Sequence, residues 1–262
     1  MVLGAPRYGK RRQTLSRIAV RFLGCGDALG SGGRFQTCFS VVWEERRLLI
    51  DCGATAMMAL RLHEIDPTEV EAIVISHLHG DHFGGLPYLL LDARHVCRRT
   101  RPLTIAGPPG LQERVETLCE AMYPGSLEGD CGFPVEFVEM HAAERRELAF
   151  AGVTATEVNH PSGAPSHALR LEIGGREIGY SGDTEWVDAL ESVARGTDLF
   201  ICECSHFTRR APFHIDYADL SRRRAGLDCK RFIITHMSQD VLQKLDEIDF
   251  EHAEDGLEII VD

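Results

Sequence analysis

The sequence predicts an α/β (α+β) fold in which sheets are covered by helices. Short apolar runs rich in β-branched residues alternate with stretches of helical periodicity. Glycines and prolines punctuate the joins, as in Gly107-Pro108-Pro109-Gly110. A chain with this many strands and interspersed helices buries its sheet faces under helices.

Strands are expected over residues 18–23, 39–43, 47–51, 72–76, 103–106, 135–139, 153–158, 168–173, 177–181, 199–204, 231–235 and 257–261, where the residues are β-branched or alternate apolar with polar. Helices are expected over 55–64, 86–93, 111–122, 185–194, 217–225 and 238–248. No internal repeat, low-complexity tract or long linker interrupts the series, so residues 17–262 are read as one domain.

The chain has 262 residues, 44% of them apolar, which suits a packed core and excludes a disordered chain. No apolar run approaches the length of a membrane span, and no secretory signal is visible, so no membrane partner is expected. The net charge of −12 is unevenly placed. The first 21 residues hold six basic side chains (Arg7, Lys10, Arg11, Arg12, Arg17, Arg21) and no acidic one, leaving 22 basic against 40 acidic residues in the rest, or −18. So acidic a body is a poor nucleic-acid binder. Residues 1–16 are read as a basic, partly disordered tail; contact with phosphate or a membrane surface, and a short targeting segment, are the competing readings. The nine cysteines include no C-x-x-C pair. They are read as thiols in a reducing compartment, the cytoplasm, with Cys202 and Cys204 buried.

The chemistry is concentrated in Ser76-His77-Leu78-His79-Gly80-Asp81-His82, directly after an apolar run. Four potential ligands fall within six residues, and imidazole nitrogen with carboxylate oxygen suits zinc, manganese or iron. A turn eased by Gly80 can aim His77 and His79 at one point and Asp81 and His82 at a second. His160, Asp183 and His236 each follow another strand-like run. Strand ends on one side of a sheet converge, so the set reads as one metal site.

From Phe22-Leu23-Gly24-Cys25-Gly26 through Leu49-Ile50-Asp51-Cys52-Gly53, the histidine cluster, His160, Ser181-Gly182-Asp183-Thr184 and Thr235-His236-Met237-Ser238, the chain resembles the metallo-β-lactamase superfamily. The resemblance implies a four-layer αββα sandwich with two divalent metals, zinc first and manganese or iron as alternatives. It implies that His77, His79 and His160 bind one metal, that Asp81, His82 and His236 bind the other, and that Asp183 bridges them, Asp81 also counting among the catalytic residues. Asp51 looks like the family's structural aspartate, or simply a turn residue after a strand. True β-lactamases of the superfamily typically carry cysteine where this chain has Asp183, which points away from antibiotic hydrolysis.

His214, before a helix, and Glu203, after a strand, resemble the tRNase Z and cyclic-phosphodiesterase branch, where a glutamate supports a histidine facing the scissile phosphate. Cys202 stands where that branch's helper motif has histidine. The resemblance implies attack on phosphorus by a hydroxide bridging the metals, with His214 as acid and Glu203 behind it. Only 22 residues separate His160 from Asp183, and a hairpin fills them, leaving no room there for the tRNA-gripping arm of bacterial tRNase Z enzymes. The expected activity is therefore hydrolysis of a small or cyclic nucleotide-like phosphodiester. No motif encodes the oligomeric state; the resemblance leaves a homodimer open, since dimers are common in this superfamily. A lactone or thioester hydrolase on the same scaffold is the second reading, a redox di-iron protein a weaker one, and a non-catalytic metal-binding scaffold another. Arg94, Arg98, Arg99 and Arg101 either hold a substrate phosphate or complement a helix C-terminus. His206 is read as structural, and Ser162, Gly163 and Ser166 as bordering the pocket.

Overall fold

A computed structural model describes residues 17–129 and 132–262. The tail expected over 1–16 lies outside the described residues. Of the basic residues at the start, Arg17 reaches Asp262 and Arg21 pairs with Glu258 at 2.6 Å. Arg21 is thus a strand-pairing residue.

The strands are β1 (Ile18–Gly24), β2 (Cys38–Trp43), β3 (Arg46–Ile50), β4 (Val70–Val74), β5 (Leu103–Gly107), β6 (Val135–Glu139), β7 (Arg145–Leu148), β8 (Ala151–Val158), β9 (Ser166–Ile173), β10 (Arg176–Tyr180), β11 (Thr197–Glu203), β12 (Cys229–Thr235), β13 (Glu251–His252) and β14 (Glu258–Val261). They form two seven-stranded sheets, ordered β14-β1-β2-β3-β4-β5-β6 and β13-β12-β11-β10-β9-β8-β7. The steps from β3 to β6 and from β10 to β13 are parallel, so the C-terminal ends of these strands gather along one edge of the sandwich.

The helices are α1 (Ala56–Leu62), α2 (Gly80–Phe83), α3 (Leu86–Leu91), α4 (Leu111–Met122), α5 (Ala189–Ala194), α6 (Tyr217–Arg223) and α7 (Gln239–Leu242). The two-residue period of a strand explains the layering. In β11, Leu199 and Ile201 enter the core between the sheets, while Phe200 and Cys202 pack outward with Leu190 of α5 and Leu220 of α6. In β4, Ala72 and Val74 face inward and Ile73 packs outward with residues of α1, α3 and α4. Continuous apolar runs therefore serve two layers at once. Phe39 of one sheet meets Tyr180 of the other edge-on, ring centroids 5.3 Å apart. The architecture is the αββα sandwich.

All twelve expected strands form, that over 135–139 with the expected ends and the others with shifted ones. The helix expected over 238–248 instead breaks into α7 and a 3-10 turn at Leu245–Glu247. The one expected from residue 185 begins at Ala189, because residues 185–188 wrap over the strand ends: Glu185 N donates to Asn159 O at 3.2 Å. The eight cysteines among the described residues are free thiols.

Candidate metal centre

His77 and His79 follow β4, and α2 carries Asp81 and His82. His160 follows β8, Asp183 follows β10 and His236 follows β12. Both sheets thus deliver side chains to one edge. Local geometry aims them. His236 has φ +58°, and Gly182 adopts the same φ just before Asp183. A Cβ on Gly182 would lie 2.5 Å from the carbonyl oxygen of His167, so only glycine fits there.

Two groups result. In the first, the rings of His77, His79 and His160 meet in T-shaped pairs with centroids 4.8–5.0 Å apart, and His79 Nδ1 faces His160 Nε2 at 2.9 Å. In the second, the His82 and His236 Nε2 atoms each lie 3.2 Å from Asp81 Oδ2. Asp183 stands between them: its Oδ2 is 3.4 Å from His82, 3.2 Å from His236 and 3.8 Å from His77. All the ligand atoms within each group lie within 4.8 Å of one another. His77 Nε2, His82 Nε2 and Asp183 Oδ1 are buried without a hydrogen-bond partner. Buried polar atoms of a folded protein are ordinarily paired. Three unpaired ligand-type atoms at one point are what two cation sites require.

The charges agree. Burial lowers the pKa of His77, His79 and His160, keeping those rings in the neutral form a metal needs. In the second group burial opposes ionisation, but His82 and His236 outweigh it and hold Asp81 and Asp183 below the usual carboxylate range. In return, against burial, Asp183 and Asp81 raise His82 well above the usual histidine range and His236 to about 9, so these two rings must shed a proton when a cation binds.

Outer partners fix the rings. Asp51, fully buried with φ +58°, accepts His82 Nδ1 at 2.7 Å, Ser76 N at 2.7 Å, Ser76 Oγ at 2.8 Å and the Tyr180 hydroxyl at 3.2 Å. It is both the turn residue and a support beneath the site. His160 Nδ1 lies 2.9 Å from the Phe213 carbonyl oxygen, and the His160 carbonyl accepts Ser166 Oγ at 2.7 Å. The expectation that Ser162, Gly163 and Ser166 border the pocket is corrected: Ser162 and Ser166 are buried and brace the His160 loop instead.

Glu203, fully buried at the end of β11, accepts the backbone N–H of Thr184 and lies 3.1 Å from His214 Nδ1. The His214 ring stacks near His236, centroids 5.8 Å apart, and meets His160 at 4.8 Å. Burial works against a charged His214, and the Glu203 carboxylate outweighs it, raising its pKa. A pocket of about 630 Å³ opens over this edge, lined by His79 and His160 of the first group, Asp81, Asp183 and His236 of the second, and His214, and also by Asp27, His206, Arg209 and Asp240. That volume suits a small ligand. His206 was read as structural; the structure puts it in the pocket wall. Asp27, Arg209 and Asp240 carried no sequence signal, because two loops and the start of α7 bring them together only in the fold. The arginine cluster lies elsewhere. Arg99 is buried and donates to five carbonyl oxygens, among them Val70 and Pro102, while Arg94 binds the carbonyls of Ser126 and Glu128. The substrate-phosphate reading of that cluster is not carried by its position.

The family model described as Anti-Pycsar protein Apyc1 matches residues 18–252. The chain belongs to this family. It is 37% identical to a ribonuclease Z of Clostridium beijerinckii over 101 residues, 38% of this chain and 32% of that one, so it spans about a third of this relative's length. Human tRNase Z, short form, superposes with a TM-score of 0.75 at 24% identity, covering 93% of this chain and 99% of that one. A diphosphatase from the PhnP family superposes with a TM-score of 0.73 at 20% identity, covering 93% and 97%. The fold is that of the metallo-β-lactamase superfamily.

Proposed function

We propose that this family member is a metal-dependent phosphodiesterase acting on a small or cyclic nucleotide-like phosphodiester. Family membership and the two ligand groups support the coarser part, a metal-dependent hydrolase. The observation that carries the finer part is the Glu203–His214 pair beside Asp183. His77, His79 and His160 would hold one divalent ion, Asp81, His82 and His236 the other, and Asp183 both, with zinc proposed first and manganese or iron as alternatives. Bound there, such ions supply Lewis acidity and an acidified water.

The chain's own residues do the rest. Glu203 occupies His214 Nδ1, leaves Nε2 for the pocket and favours the imidazolium. That cation hydrogen-bonds a phosphoryl oxygen or gives its proton to the leaving alkoxide oxygen. Phosphate esters need both services; a lactone needs less of them. The free thiols among the described residues support a reducing location, for which we propose the cytoplasm. No helix among the described residues is long and apolar enough to cross a membrane.

The test is turnover of bis-(p-nitrophenyl) phosphate by metal-loaded protein, against lactone and thioester substrates. Hydrolysis of the phosphodiester supports the reading. Turnover of the lactone or thioester alone replaces it with the second reading.

A further inference from the structure

A second imidazole shares the pocket with His214, and neither the metal groups nor the proposed acid accounts for it. His206 Nδ1 lies 3.4 Å from Asp240 Oδ1 and 3.3 Å from Ser238 Oγ. Its backbone is pinned on both sides: Tyr217 N donates to His206 O at 2.7 Å, and Asp240 Oδ2 accepts Phe207 N at 3.1 Å. Ser238 N donates to Ser205 O at 3.1 Å, tying the loop after β12 to this wall. The ring is therefore held in place, with its side chain 20% exposed toward the pocket.

The hydrogen-bond network also sets the ring's tautomer. Ser238 Oγ has one proton and two oxygen acceptors close by, Ser205 O and Asp240 Oδ1. With that proton engaged, the oxygens around His206 Nδ1 are acceptors, so Nδ1 carries the ring's proton. In the neutral ring Nε2 then presents a lone pair. What it would meet follows from the rest of the wall. Besides the ligand residues, the pocket is lined by Asp27, Ser31, Ser205, Arg209, Ser238 and Gln239, with Ala28 and Leu29 as its aliphatic part, and among the described residues no phenyl, phenol or indole ring lines it. Protein sites for bases commonly stack them on such rings. Short polar side chains and a fixed acceptor suit a hydroxylated sugar.

We propose that His206, fixed by Asp240 and Ser238, is a specificity-determining residue that accepts a hydrogen bond from a hydroxyl on the sugar carrying the phosphodiester. This rests on the phosphodiesterase reading above. Discrimination by one such hydrogen bond is worth about tenfold.

The experiment compares kcat/KM for adenosine 3′,5′-cyclic monophosphate, whose sugar has one free hydroxyl, with its 2′-deoxy analogue. Bis-(p-nitrophenyl) phosphate, which has no sugar, is the reference. Wild-type protein should prefer the ribose substrate about tenfold. His206→Phe should bring the two cyclic substrates within about twofold, by losing rate on the ribose one. Asp240→Asn, which keeps the ring but frees its tautomer, should give an intermediate ratio, and it decides the matter if His206→Phe does not fold. Bis-(p-nitrophenyl) phosphate turnover with no ribose preference in the wild type, with neither cyclic substrate used, or with the preference intact in both variants overturns this proposal alone. No turnover of any phosphodiester overturns the phosphodiesterase reading and this proposal with it.

Discussion

The Glu203 carboxylate, wholly buried at the end of β11, lies 3.1 Å from Nδ1 of His214 across a loop of ten residues. A buried carboxylate with an imidazole as its charge partner keeps that imidazole protonated to higher pH, and His214 is shifted in that direction. If the imidazolium is the working form, activity is lost as pH rises through the His214 pKa. Glu203→Gln removes the charge and should move the alkaline limb of the kcat profile to lower pH. His214→Ala should lower kcat on bis-(p-nitrophenyl) phosphate by about 10²–10⁴-fold. An unmoved alkaline limb in Glu203→Gln, with the fold intact by circular dichroism, would remove the supporting role from Glu203.

Asp51 touches no substrate, yet it should matter to metal binding. Its Oδ2 fixes His82 Nδ1 at 2.7 Å, so Nε2 is left for a cation. Partners of this kind are commonly worth 10–100-fold in metal affinity. Asn tolerates a positive φ, so Asp51→Asn keeps the turn while removing the charge and one acceptor. Zinc titration against a chelating dye should show one equivalent of metal weakened by about 10–100-fold. Two equivalents as tight as in the wild type would show that Asp51 serves the turn only.

Metal addition should stabilise the fold. Asp81 and Asp183 are buried carboxylates compensated by the neighbouring histidines, and unpaired atoms lie beside them. A ligand at 100 times its Kd adds about 2.7 kcal/mol. For a chain of this size that corresponds to a rise in Tm of about 5–10 °C. Protein stripped with a chelator and melted with and without zinc should show that rise, and Asp183→Asn should show a smaller one. Melting curves left unchanged from the stripped protein by zinc, manganese and iron alike would count against cation sites at these residues.

The sequence made the strands legible because their apolar runs fill two layers, and the ligands legible because each follows such a run. What escaped lies where that signal vanishes. The strands Arg145–Leu148 and Glu251–His252 sit at the two edges of one sheet, where Arg145, Arg146 and Glu147 face solvent and no alternation is needed. The expected helix over 238–248 broke because Lys244 leaves helical geometry, with φ −128°, while its helical periodicity persists in sequence. Asp27 and His206 come from two loops and Asp240 from the first turn of α7, far apart in sequence, and nothing local marks them as neighbours.

His167, at the start of β9, carries a pH dependence of stability that is independent of the proposed chemistry. It is 1% exposed, its Nδ1 has no hydrogen-bond partner, and its backbone N–H donates to Ser76 O at 3.0 Å. Burial, helped by the nearby His141, lowers its pKa to about 4. In the unfolded chain a histidine titrates near 6.5. Between those values the unfolded chain binds the proton that the folded chain refuses, so stability falls as pH drops from about 6.5 toward 4. Two pKa units or more separate the states, and the part of that difference expressed between pH 7 and pH 5 is about 1–2 kcal/mol. His167→Gln stays neutral throughout and should lose that much less stability over the same interval. Urea unfolding of metal-free wild type and variant at pH 7 and pH 5 measures the difference directly. Parallel losses in the two proteins would mean that His167 takes up its proton in the folded state as readily as in the unfolded one.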